Sequence, residues 1–77
     1  MRSILILGAG RSASSLIRYL IHHAASEQWR ITVADKDPSH AAMLVAEGPM
    51  VATGFALDAM DGSARSALIA KHDLVIS

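Results

Sequence analysis

Short aliphatic runs alternate with stretches of helical periodicity along the whole chain. Residues 3–7 form a continuous aliphatic run that ends in glycine, and residues 30–34 form a β-branched run that ends at Asp35. A third, less regular run covers residues 51–57, and a fourth covers residues 74–76. Uninterrupted runs of this length are typical of strands that are covered on both faces.

The segments between these runs have the spacing of helices. Over residues 13–24 the apolar side chains recur at intervals of three and four, with polar side chains on the other side. Asp37 followed by Pro38 has the form of an N-cap and a first helical residue, and this helix is expected to end before Gly48. In the third segment, either Asp58 or Asp61 can cap a helix that runs to about residue 72.

The resulting order, βαβαβαβ with short connections, predicts parallel strands joined by right-handed crossovers. We therefore expect an α/β fold of the Rossmann type, a three-layer doubly wound sheet with strand order 3-2-1-4. The fourth strand ends the sequence without a crossover helix after it. Residues 1–77 are accordingly predicted to be the N-terminal part of a dinucleotide-binding domain, truncated relative to the whole.

Composition narrows the class of protein. Seven Lys and Arg balance seven Asp and Glu, which argues against a nucleic-acid binder and against a polybasic membrane anchor. Hydrophobic residues make up 52% of the chain and charged residues 18%, which excludes disorder. The absence of cysteine excludes disulfides and thiolate metal sites, and the first apolar run is too short for a signal peptide. We expect a soluble, cytoplasmic chain.

Residues 8–13 read G-x-G-x-x-A and lie directly between the first strand and the first helix. In that context Gly8 allows a tight turn, Gly10 allows a pyrophosphate to approach the backbone, and Ala13 lets the helix pack closely on the sheet. The N–H groups of Arg11, Ser12 and Ala13 at the helix start would favour the phosphates. A glycine-rich turn that binds nothing is the alternative, so the motif depends on its context.

A second feature supports a dinucleotide site. Asp35 ends the second strand at about the 20-residue offset expected for an acid that binds the adenosine ribose, and Asp37 is the better cap, which would leave Asp35 free. The carboxylate would repel a 2′-phosphate, so we expect NAD as the cofactor, although Lys36 could favour NADP. Asp58 could meet the adenine amino group, cap the third helix, or do both.

The remaining polar residues do not form a catalytic site by spacing. The four histidines, which are His22, His23, His40 and His72, lack metal-ligand spacing, and we expect them to be solvent-exposed. No nucleophile is placed beside a base, and no metal site is expected. Catalytic residues are therefore predicted to lie outside this sequence.

The sequence resembles the N-terminal cofactor domain of the saccharopine dehydrogenase family, of the saccharopine reductase type. The likeness lies in residues 4–10 with Ala13, 31–34, 56–58 and 73–77, and the last two blocks are the more specific. The resemblance implies an oxidoreductase of lysine metabolism that transfers hydride between a nicotinamide and an amino-acid or imine substrate.

In such a family the glycine turn takes the pyrophosphate, and the residues after the second strand sort NAD from NADP. The resemblance further implies that Asp58 lies near adenine and that Ser77 starts a loop toward the nicotinamide. Asp35-Lys36 departs from the glutamate-forming branch, which has a small residue followed by arginine, so an NAD-using relative stays open. The substrate domain of the parent chain would be a partner beyond these residues.

The alternative function is a nucleotide-sensing regulatory module of the kind that gates potassium transport. Such modules use the same turn and the same acid, and two copies commonly pair through later helices, so a homo-oligomer would suit the apolar excess of this chain.

Overall fold

The computed structural model of the chain describes residues 2–8, 13–58 and 60–76, with residue 13 described for its backbone alone. The elements alternate strictly between strand and helix. In chain order they are β1 (Arg2–Leu7), α1 (Ala13–Glu27), β2 (Trp29–Asp35), α2 (Pro38–Val45), β3 (Ala52–Ala56), α3 (Gly62–Ala70) and β4 (Leu74–Ile76).

The four strands form one parallel sheet in the order β3-β2-β1-β4. The predicted α/β class and strand order are therefore confirmed. The pairing is in register across the centre of the sheet, with Ile4 opposite both Ile31 of β2 and Leu74 of β4. The chain order reverses between β1 and β4, which creates the switch point at which α/β proteins bind ligands.

Helices α1 and α2 cover one face of the sheet. The core there combines alternate residues of β1 and β2 with the inner stripe of α1. Its buried members are Ile4, Ile6, Ile17, Leu20, Ile21, Ala24, Ile31, Val33, Val45 and Ala52. Because successive side chains of a strand point to opposite faces, the even-numbered positions of β1 and the odd-numbered positions of β2 serve this core.

Helix α3 covers the other face, and more thinly. Leu5, Ala34 and Leu57 are buried on this side, and Ala64 and Leu68 of α3 pack against them while staying half-buried. No residue of Gly62–Ala70 is buried. The sheet thus has one well-covered face and one lightly covered face.

Two aspartates start the second and third helices. The Asp37 carboxylate accepts hydrogen bonds from the N–H groups of Ser39 and His40, with Pro38 as the first helical residue, as predicted. Asp61 rather than Asp58 caps α3, since its Oδ1 accepts from the Ala64 N–H at 3.0 Å. The sequence allowed either Asp58 or Asp61 as the cap of α3, and the structure shows that it is Asp61.

Helix α2 lies unusually close to β3, and Gly54 makes that approach possible. A Cβ atom at Gly54 would lie 3.0 Å from the backbone carbonyl of Ala41. Gly54 pairs with Val33 in the sheet register. It therefore marks a close backbone approach, one of the established roles of glycine in a strand.

Hydrogen bonds join β1 to β4 at the amino-terminal edge of the sheet. Asp73 Oδ2 accepts from the Ser3 N–H at 2.8 Å and from the Ser3 hydroxyl at 3.2 Å. The Asp73 N–H in turn donates to the Ser3 carbonyl at 2.9 Å. We call this set of contacts the Ser3–Asp73 joint.

Candidate functional site

The carboxyl ends of β1, β2 and β3 bring Gly8, Asp35 and Asp58 to one edge of the sheet. The Gly8 N–H donates to the Ala34 carbonyl at 3.0 Å, and the Leu57 N–H donates to the Asp35 carbonyl at 2.9 Å. The hydrogen-bonding pattern of the sheet thus continues through these strand ends. The three residues therefore lie at the edge at which open parallel sheets bind nucleotides.

Gly8 has the conformation that the predicted turn requires. Its φ is +66°, in the left-handed region that glycine adopts without steric cost. Helix α1 begins at Ala13, the last residue of the motif, as the sequence predicts. Gly10, Arg11 and Ser12 lie outside the described residues, as does the side chain of Ala13, and so does Ser77.

Asp35 is held from two directions. One carboxylate oxygen accepts from the Asp37 N–H at 3.0 Å, and the other lies 2.8 Å from Nδ1 of His40. Its side chain is only 11% exposed, whereas that of His40 is 32% exposed. The expectation that capping by Asp37 leaves Asp35 free is therefore wrong, because the N-cap residue Asp37 and His40 in the first turn of α2 both bond to its carboxylate.

These contacts favour the ionised form of Asp35. The pKa of its carboxyl lies below the ordinary value of 3.8, first because the Asp37 N–H donates to it and then because the His40 ring does. Partial burial acts in the opposite direction but is outweighed. The strand end therefore carries an oriented carboxylate, with lone pairs left over for a hydroxyl donor.

Lys36 follows Asp35 in the chain, and Asp58 lies after the end of the neighbouring strand β3. Both are exposed. The Asp58 Oδ1 accepts from the Met60 N–H at 2.9 Å, so its side chain stabilises the turn before α3 without capping the helix. The contacts of Asp58 with adenine and of Lys36 with the 2′-phosphate stay predictions.

His40 is the site residue that sequence reasoning missed. The sequence predicts a solvent-exposed histidine, but His40 is half-buried and bonded to Asp35, and His72 is half-buried with Nε2 3.0 Å from Thr32 Oγ1. The sequence feature that could have indicated this contact is the N-cap at Asp37. A helix that starts at Pro38 carries its third residue back over the end of the preceding strand, toward Asp35.

The described residues fit a dinucleotide. A glycine in the left-handed region follows β1, and α1 begins at Ala13. The start of a helix carries backbone N–H donors that favour a phosphate. An oriented carboxylate stands at the end of the adjacent strand. No helix in the described part of the chain is long and apolar enough to span a bilayer.

Fold and site together define a dinucleotide-binding α/β domain. Residues 4–77 match the family described as the saccharopine dehydrogenase NADP binding domain. Because the match covers almost the entire sequence, the chain belongs to this family. The family description supports a nicotinamide dinucleotide as cofactor and favours NADP over NAD, so the preference for NAD inferred from Asp35 gains no support from it.

A solved structure shows the same relationship. The apo, histidine-tagged saccharopine dehydrogenase (L-Glu forming) from Saccharomyces cerevisiae superimposes with a TM-score of 0.77 at 29% sequence identity. The alignment covers 97% of this chain and 16% of the yeast enzyme. No individually curated protein matches the chain.

Proposed function

We propose that the chain is the cofactor-binding part of an NADP(H)-dependent dehydrogenase that acts on an amino-acid or imine substrate of lysine metabolism. The observation that carries the proposal is the family match over residues 4–77. The positions of Gly8 and Asp35 at the carboxyl ends of β1 and β2 agree with it. The similar yeast structure is a saccharopine dehydrogenase, and this supports the same substrate class.

In this proposal residues 1–77 bind and orient the nucleotide, and the substrate domain and catalytic residues lie elsewhere in a longer parent chain. The nicotinamide supplies the hydride chemistry when it is bound. The turn that Gly8 opens holds the pyrophosphate, together with Gly10 and the N–H groups of Arg11 and Ser12. Asp35 positions the ribose, Lys36 and Asp58 border the adenosine, and Ser77 leads toward the nicotinamide.

The family match favours a dehydrogenase over the nucleotide-sensing module. Pairing of two copies is not needed for the proposed site, because Gly8 and Asp35 come from one chain. A cytoplasmic location stays a prediction.

Calorimetric titration of the purified protein with NADPH, NADH and ATP tests the proposal. We expect both dinucleotides to bind, NADPH more tightly, and ATP to bind more weakly than either. A matched pair of variants, Asp35→Asn and Glu27→Gln, removes one carboxylate at the site and one at the exposed end of α1. Failure of both dinucleotides to bind would overturn the proposal. Equal effects of the two substitutions on NADH binding would remove Asp35 from the proposed site.

A further inference from the structure

Asp35 at the ribose position raises a question of charge, because the family description names NADP and a carboxylate repels the 2′-phosphate of NADP. The structure provides a residue that can change this charge. His40 Nδ1 lies 2.8 Å from Asp35 Oδ2, on the first turn of α2.

We propose that His40 is a specificity-determining residue for the nucleotide, which sets whether the end of β2 presents a net negative charge or a neutral ion pair. The inference rests on the proposed function and deepens it. With His40 protonated, the pair tolerates a 2′-phosphate, and with His40 neutral it favours a 2′-hydroxyl.

The geometry fixes which nitrogen titrates. An ionised carboxylate only accepts hydrogen bonds, so the Nδ1 atom that meets Asp35 must carry a hydrogen in either charge state of the ring. Nε2 is therefore the atom that gains or loses the proton. The hydrogen bond persists through this change while the net charge of the pair goes from zero to minus one.

Because the Asp35–His40 pair is held at the end of β2, a change in its net charge acts at the proposed ribose position. The Asp35 side chain is 11% exposed and is oriented by the Asp37 N–H, so its charge stays at the strand end and is not carried into solvent by rotation. Histidine is the side chain whose ordinary pKa, about 6.5, lies within the physiological range.

Other ionisable side chains belong to the elements on the same face of the sheet. Among the described residues, α1 carries Arg18, His22, His23 and Glu27, and Asp37 and Glu47 flank α2. Lys36 follows Asp35 in the chain, and Asp58 follows the adjacent strand β3. Arg18 and Glu47 approach each other to 3.6 Å and compensate each other. Strand β3, against which α2 packs, has no ionisable side chain within Ala52–Ala56.

The test measures the dissociation constants of the purified protein for NADP and NAD between about pH 5.5 and 8.5, a range centred on histidine titration. We expect the preference for NADP over NAD to rise about fivefold as the pH falls, the size of a partly exposed ion-pair effect. The 2′-phosphate itself titrates near pH 6, so a reference that shares this titration is required.

His40→Gln supplies that reference, because glutamine can donate a hydrogen bond but takes up no proton. We expect the variant to keep only the pH dependence that the phosphate contributes. His22→Gln, at an exposed position of α1, is the matched control and is expected to behave like the parent protein. Superimposable pH profiles of the parent and His40→Gln would overturn the inference.

Imidazole NMR of the parent protein gives an independent readout if His40→Gln does not fold. We expect the imidazole resonances of His40 to change more on NADP binding than on NAD binding, and those of His22 to stay the same. Equal changes at His40 in the two complexes would overturn the inference. Binding of neither nucleotide would instead refute the proposed function, so the two failures are distinguishable.

Discussion

At the scale of single residues, Asp35 joins the end of β2 to the start of α2, and the proposed function also places it at the ribose. Its carboxylate accepts a hydrogen bond from the Asp37 N–H and pairs with His40. Replacing it is therefore expected to change the local structure and, under the proposed function, nucleotide binding as well.

We expect Asp35→Asn to weaken NAD binding about tenfold, since a charge-assisted hydrogen bond to the ribose is lost. NADP binding is expected to fall less or to improve, because the repulsion of the 2′-phosphate is removed as well. Calorimetry with both nucleotides measures the ratio. A uniform loss for NAD and NADP would contradict this reading of Asp35.

Gln28 follows the last residue of α1 and has a φ of +58°. A non-glycine residue in this conformation is strained, and glycine is the common choice after a helix end. We expect Gln28→Gly to raise the free energy of unfolding by about 0.5–1 kcal/mol, as measured by urea denaturation.

Glu27→Gly, one position earlier and still in the helix, is the matched comparison. It is expected to lower stability by about 0.5–1 kcal/mol, because glycine is a poor helix former. The same sign for both substitutions would show that the strain at Gln28 is not what limits stability.

At the scale of elements, the sequence predicted the order of strands and helices better than it predicted the contacts between them. The order of seven elements follows from apolar spacing together with the helix start and stop signals, and the cap at Asp37 was predicted correctly. What the sequence could not show is how closely two elements pack, since that distance depends on both surfaces. Gly54 was therefore expected to weaken β3 or mark a bulge, whereas it continues the paired strand beneath α2.

The same reason explains why the Asp35–His40 contact was missed. Periodicity assigns a residue to a face of its own helix, but His40 meets Asp35 only because α2 turns back over the end of β2. Gly8 and the start of α1 were predictable because they depend on one local turn.

We expect Gly54→Ala to lower the free energy of unfolding by about 1–3 kcal/mol, the usual cost of overpacking. The added methyl would press on the Ala41 backbone, which cannot rotate away as a side chain can. Thermal and urea denaturation measure the loss.

Gly62→Ala is the control for the loss of glycine itself. A Cβ at Gly62, the first residue of α3, meets no atom within 4 Å. That substitution is expected to stabilise by about 0.4–1 kcal/mol through the unfolded chain. Equal effects at the two positions would contradict the close approach of α2 to β3.

At the scale of the whole molecule, two carboxylates at opposite edges of the sheet link stability to pH. The pKa of Asp73 is lowered from 3.8, first by the Ser3 N–H and then by the Ser3 hydroxyl. The pKa of Asp35 is lowered as well. A carboxylate whose pKa is lowered by folding stabilises the folded state above its ordinary pKa, and this contribution is lost as the pH falls through the folded value.

We therefore expect the urea midpoint of the protein to fall as the pH drops below about 4. Asp73→Asn is expected to start from a lower midpoint at neutral pH and to show a shallower fall in acid, because it lacks one of the linked protons. Parallel curves for the two proteins down to about pH 3 would contradict a stabilising role for the ionised Asp73.

The Ser3–Asp73 joint has a consequence for redesign. Hydrogen bonds hold β1 and β4 together at the amino-terminal edge, away from the loops that follow the carboxyl ends of the strands. Replacing Lys36 or grafting a different loop after β3 should leave these hydrogen bonds intact. Cofactor preference could then be re-engineered with little loss of foldability, provided that the reach of α2 over β2 is kept.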